Sequence, residues 1–203
     1  ERKTKGETKW QKKIITTYLI GMPGSGKSTI GVLLAKALGY DFVDTDLVIQ
    51  QKGGGLLKEI IARIGNDGFK QLEEDVNASI DVNKSVIAPG GSAVYSDKAM
   101  RHFKEIGTII YLKLDYQTVK RRLGNLKARG VVLEKGQTLR DLYNERIPYY
   151  EKYADITVKL DKLSIGNSLE KSVGKPLIVC YNIICMILNN YRKIEIRFNN
   201  IDR

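Results

Sequence analysis

Only one histidine, His102, occurs in this 203-residue chain, and it falls outside every stretch where neighbouring side chains suggest chemistry, so it is assigned no role. Cysteine is nearly as scarce. The two present, Cys180 and Cys185, sit near the C-terminus without the paired spacing of a zinc site, which argues against both a zinc centre and a disulfide-built scaffold. Long apolar runs are missing as well: the longest, Pro176 to Leu188, is broken by Asn182 and is too short to cross a bilayer. The N-terminus is polar and basic and lacks the apolar segment of a secretion signal. A soluble, cytoplasmic protein with no membrane partner is expected. Residue 1 is not methionine, which fits a processed chain or a fragment.

Acidic residues fall short of basic ones, 23 against 34, leaving a net charge of +11. That excess alone would suggest nucleic acid, but residues 1–13 carry +4 of it and residues 174–203 another +3. The remainder suits a pocket of lysines and arginines that handles phosphate, so no nucleic-acid partner is expected. With 42% hydrophobic residues, the chain can bury one sizeable core.

Residues 18–29, YLIGMPGSGKST, read as a buried strand entering a glycine loop and then a helix. Gly21, Gly26, Lys27 and Ser28 fit G-x-x-x-x-G-K-[ST], the loop whose backbone N–H groups wrap phosphate oxygens while the lysine adds charge and the hydroxyl serves Mg²⁺. A plain strand-to-helix turn would account for the glycines but not for the Lys-Ser pair.

Strands and helices alternate along the rest of the chain. After a strand at 14–20 and a helix at 29–38, a short second strand ends in DFVDTD, and residues 47–64 suggest two short helices about Gly53-Gly54-Gly55. Gly65 to Gly68 reads as a turn, and 69–80 as a helix with Leu72, Val76 and Ile80 on one face. Strands at 85–88, 108–114 and 155–160 and helices at 97–104, 115–123 and 138–153 follow, with Asp115 near a helix start. Serine 168 to valine 173 suits a closing helix; the run 177–188 has no assigned element. The expectation is an α/β domain over 14–173: a three-layer parallel sheet with helices on both faces, between a basic arm at 1–13 and an extension at 174–203. Trp10 in the arm reads as a docking residue.

Asp44 and Asp46, two apart, would project the same way from a regular strand, which suits a magnesium ion and an acceptor hydroxyl; helix capping is the plainer alternative. Lys70 and Glu73, taken alone, read as a solvated helix-surface pair. Gly90-Gly91-Ser92 after a strand offers backbone N–H groups to a substrate, or merely makes a turn. Arg121, Arg122, Lys127 and Arg129 gather charge around a glycine-bearing segment at about 122–137, as a lid closing over a transferring phosphoryl group would. Arg146 precedes Pro148-Tyr149-Tyr150, which would pin its helix.

In order and spacing these residues resemble the shikimate kinase family over about residues 14–160. The family's G-x-x-G-x-G-K-[ST] is Gly21, Gly24, Gly26, Lys27 and Ser28, its D-x-D is Asp44 and Asp46, and its F-R-x-x-E is Phe69, Lys70 and Glu73. Its G-G-G becomes Gly90-Gly91-Ser92, its lid R-P-L-L becomes Arg129-Gly130-Val131-Val132, and its R-x-x-x-Y is Arg146 and Tyr150. The resemblance implies a P-loop kinase fold of the nucleoside-monophosphate-kinase type, with a five-stranded parallel sheet and a mobile lid. It also implies transfer of phosphate from ATP, with Mg²⁺, to shikimate or a similar small molecule by a monomer.

By the same resemblance, Asp46 orients the acceptor hydroxyl and takes its proton, and Ser28 holds Mg²⁺ together with Asp44, which acts through water. Lys27 and Arg129 stabilise the transferring phosphoryl group, residues Gly24, Ser25, Gly26, Lys27, Ser28 and Thr29 hold the nucleotide phosphates, and Arg122 lies against the adenine. Lys70, Gly91 and Arg146 join Asp46 in holding the acceptor. Three departures, Lys70 for arginine, Ser92 for glycine and Gly130 for proline, leave open a kinase of another small polyol or hydroxy acid, or a nucleotide-binding module without catalysis.

Overall fold

The computed structural model describes residues 16–123, 133 and 136–160. The N-terminal arm with Trp10, the helix expected at 168–173, the extension at 174–203 with both cysteines, and most of the lid, Arg129 and Gly130 included, lie outside the described residues.

Five parallel strands form one sheet in the order β2-β3-β1-β4-β5. They are β1 Thr16–Ile20, β2 Asp41–Asp44, β3 Ser85–Ala88, β4 Thr108–Lys113 and β5 Ile156–Lys159. The helices are α1 Lys27–Leu38, α2 Thr45–Gly53, α3 Leu57–Ala78, α4 Asp97–Ile106, α5 Tyr116–Leu123 and α6 Leu139–Tyr153. β1 is buried at every residue, as a strand covered on both faces must be. Side chains alternate across a strand, so Tyr18 and Ile20 point into one core and Leu19 into another. The first core receives α4, α5 and α6 through Phe103, Val119 and Tyr150, with Tyr18 stacked on Phe103 at 4.0 Å. The second receives α1 through Ile30 and Leu34. Each fully buried aliphatic or aromatic side chain contributes about 1.5–3 kcal/mol, and the three-layer arrangement lets both faces of the sheet collect it. Among the described residues, no helix is long and apolar enough to cross a membrane.

A smaller cluster joins α2 to α3 through Ile49, Ile60 and Val76, with Leu72 packed against it. Ile80, expected on the same helical face as Val76, lies past the end of α3 and packs in the sheet core instead. Gly65 to Gly68 is a kink within α3 and not a turn between helices: Gly65 takes φ 73° and ψ 174°, and the helix resumes beyond it. Helix α1 begins at Lys27, two residues before the expected start, because Lys27 and Ser28 already belong to its first turn.

β1 lies between β3 and β4, so the chain departs from it in both directions across the sheet. That reversal opens a crevice at the C-terminal ends of the strands, where open α/β sheets bind ligands.

Candidate active site

The loop from β1 to α1 closes on Gly26, whose φ of 96° serves as the left-handed N-cap of α1 and favours a residue without a side chain. No acidic residue stands in the first turn of α1, so its unpaired N–H groups and dipole face the crevice as an anion site. Lys27 Nζ donates to the carbonyls of Gly21 at 2.9 Å and Met22 at 3.3 Å, bending over the loop it belongs to. Burial lowers its pKa to about 8, with the nearby Asp46 carboxylate pulling the other way. The Ser25 hydroxyl is buried in this loop without a hydrogen-bond partner. Arg122, exposed on α5, reaches back to the Gly24 and Ser25 carbonyls at 3.2 and 3.3 Å and ties that helix to the loop. These features fit the phosphates of a nucleotide.

Asp44 and Asp46 do not project from one strand. Asp44 ends β2 and caps α2, its Oδ1 accepting from the Asp46 N–H at 3.1 Å, while Asp46 lies in the first helical turn. The expected strand geometry fails because the chain turns helical at Thr45, immediately after Asp44. Both carboxylates nevertheless line the same crevice. Asp44 Oδ2 accepts from Ser28 Oγ at 2.9 Å. Adjoining oxygens of an octahedral Mg²⁺ shell, with ligands at about 2.1 Å, stand about 3 Å apart, so this hydroxyl and carboxylate fit such an ion. Among the described residues no three His, Cys, Asp or Glu side chains gather as a metal centre, so phosphate and water oxygens would fill the rest of the shell.

The crevice continues from the loop into a cleft of about 760 Å³ between α3, the turn after β3, and α6. The solvated Lys70–Glu73 surface pair is half wrong. Glu73 is buried, 5% exposed, and faces the turn, where a Cβ on Gly90 would meet its Oε1 at 2.6 Å and Asp46 Oδ1 at 3.2 Å. Lys70 borders the cleft, is largely exposed, and stands 3.9 Å from Asp67. Burial raises the Glu73 pKa, opposed by the Ser92 hydroxyl and by Arg146. Burial also raises that of Asp46, Asp44 adds to the shift, and Lys27 opposes it.

Arg146 is 6% exposed on α6. Burial disfavours its cation, but Tyr150, Tyr95 and Glu73 together outweigh that and hold the pKa above its usual value. Gly91 leaves it room, since a Cβ there would stand 3.0 Å from Arg146 Nη1. Tyr150 Oη donates to the Gly91 carbonyl at 2.7 Å, pinning α6 to the turn as its aromatic residues suggested. Lys27, Ser28, Thr29, Asp44, Asp46, Lys70, Gly91 and Arg146 thus line one cleft, with Arg122 against the back of the loop. Tyr95, Glu145 and Asn77 line it too and were not singled out from sequence; nothing in their local pattern marks them.

An anion cradle at a strand-to-helix loop, a carboxylate–hydroxyl pair beside it, and a cleft ending in a buried arginine make this a P-loop kinase of small molecules. A model of the family "SKI: Shikimate kinase" matches residues 23–175, and the chain belongs to the shikimate kinase family. The shikimate kinase of Chlorobium chlorochromatii (strain CaD3) is 37% identical over 176 residues, covering 81% of this chain and 92% of that protein. That of Mycobacterium avium (strain 104) is 38% identical over 151 residues, covering 73% and 85%. Among solved structures, shikimate kinase from Acinetobacter baumannii in complex with shikimate matches with a TM-score of 0.74 at 28% identity, over 92% of this chain and 99% of that one.

Proposed function

We propose that this chain transfers the terminal phosphoryl group of ATP to a hydroxyl of shikimate, giving shikimate 3-phosphate in the route to chorismate and the aromatic amino acids. The observation that carries the reading is that one cleft brings together Lys27 and Asp46 beside the phosphate loop and the buried Arg146 of α6. A hydroxyl between Asp46 and the loop would meet the phosphoryl group, while Arg146 takes the acceptor's carboxylate.

Residues Gly24 to Thr29 hold the nucleotide phosphates through backbone N–H groups and the α1 N-terminus. Lys27 neutralises charge on the oxygens being transferred, and Arg129, carried by the family resemblance, joins it from the lid. Arg122 flanks the adenine. Mg²⁺, held by Ser28 and Asp44, would draw charge from the bridging phosphate oxygens. Asp46 orients the acceptor hydroxyl and accepts its proton; the raised pKa makes it a stronger base than a solvated carboxylate. Arg146 grips the carboxylate, with the Gly91 backbone and Lys70 on the ring hydroxyls.

The domain bounds 14–173, a lid at 122–137, and a monomer acting in the cytoplasm on small molecules, without nucleic acid or membrane, belong to the same proposal. A second reading, phosphorylation of another hydroxy acid or polyol, is favoured by Lys70, which offers a point charge where a planar fork would grip a carboxylate with two bonds. Coupled ADP release measured over a panel of hydroxylated acceptors separates the two: the first reading expects shikimate to give the highest kcat/KM, and a higher value for another acceptor would replace it.

A further inference from the structure

An arginine presents a carboxylate with two bidentate edges, one made by Nε and an Nη, the other by the two Nη groups. In Arg146 the first edge is engaged. Its Nε donates to the Tyr95 hydroxyl at 3.2 Å, and the guanidinium carbon lies 5.2 Å from the centre of the Tyr95 ring. Nη1 points along the Gly91 side of the cleft.

Tyr95 is itself held from two directions. It ends a short 3-10 turn, Ala93–Tyr95, and the Tyr149 ring meets it edge-on at 5.5 Å and 73°. Burial and the neighbouring Glu145 carboxylate push the Tyr95 hydroxyl pKa up, which keeps the hydroxyl neutral. Glu145 itself accepts from Gln137 Nε2 at 2.7 Å. Tyr95 is 40% exposed and borders the cleft, and Arg146 is the one arginine among the described residues lining it. With Lys70 lacking a fork, the orientation of Arg146 decides how an anionic acceptor is seated.

The geometry points to Tyr95 as a positioning residue for the acceptor: it occupies Nε of Arg146 and turns the two-Nη edge toward the acceptor's carboxylate. The inference rests on the proposed acceptor, a hydroxy acid, and adds to it the residue that sets the angle of the grip.

Tyr95→Phe tests this, because it keeps the ring, its contact with the Arg146 guanidinium and the edge-on Tyr149 contact, and removes only the oxygen. The expected result is an acceptor KM raised about five- to tenfold, with kcat and the KM for ATP within about twofold of wild type. With the neutral carboxamide of the acceptor, variant and wild type should share one KM. An unchanged KM for the carboxylate in Tyr95→Phe overturns the inference while the acceptor assignment stands; so does an equal rise for carboxylate and carboxamide, which marks a structural effect. No wild-type turnover with the carboxylate overturns the acceptor assignment and the inference together.

Discussion

The Ser92 hydroxyl donates a 2.8 Å hydrogen bond to Glu73 Oε1, joining the turn after β3 to helix α3 beside the cleft. A glycine at residue 92 would leave that carboxylate oxygen without this partner. The departure from the family pattern at this position therefore adds support to a buried acid that faces Arg146.

Ser92→Ala should raise the pKa of Glu73 further, because burial already pushes it up and the lost bond was opposing that shift. Activity that needs the ionised Glu73 beside Arg146 disappears as pH falls through this pKa, so the acidic limb of kcat/KM should move to higher pH. A pH profile that superposes on wild type would break the link between Ser92 and Glu73.

Lys27 carries an opposite pH signature. Burial holds it at about 8 in the folded protein against an ordinary 10.5. Between those values the unfolded chain binds a proton that the folded chain does not, so this group adds stability to the nucleotide-free protein as pH rises across that window. Nucleotide affinity should fall over the same window, since the phosphates lose a cation. Melting temperature and nucleotide Kd measured from pH 7 to 10 should both show this dependence, and Lys27→Met should flatten both.

Arg146→Lys keeps a charge but loses the planar fork, and should raise the acceptor KM about ten- to a hundredfold with nucleotide affinity unchanged. Arg146→Ala removes the buried guanidinium whose charge opposes the rise in the Glu73 pKa, and thermal unfolding should show the alanine variant less stable than the lysine variant. An alanine variant as stable as the lysine variant would mean that Glu73 does not depend on Arg146.

The strand-loop-helix at residues 16–38 was legible because it is local: strand, glycine loop and Lys27-Ser28 are contiguous, and the loop's geometry follows from Gly26. The sheet was legible for a related reason, as buried parallel strands such as Thr108–Lys113 are unbroken apolar runs in sequence. Asp44 and Asp46 were found as a pair but given the wrong geometry, since a two-residue spacing carries no mark of the point where strand becomes helix. Glu73 was read as solvated because Lys70 one turn before it completes a charge pair of the kind common on helix surfaces; what buries it is the turn at Gly90, brought alongside by β3. Tyr95 was invisible for the same reason, its partner Arg146 lying 51 residues further along on another helix. Contacts that close the acceptor cleft are long-range, and a single sequence holds no local pattern for them.

We propose that Asp46 receives the proton of an acceptor hydroxyl while Arg146 holds the acceptor's carboxylate and Lys27 steadies the phosphoryl group. Shikimate-dependent ADP release by wild type and Asp46→Asn, each first shown to bind nucleotide equally, tests it most directly. Wild type should release ADP in proportion to shikimate consumed, and Asp46→Asn should lose about 10²- to 10⁴-fold in kcat, the range of general-base catalysis. Release no faster than the shikimate-free rate in wild type, or full activity in Asp46→Asn, would contradict it.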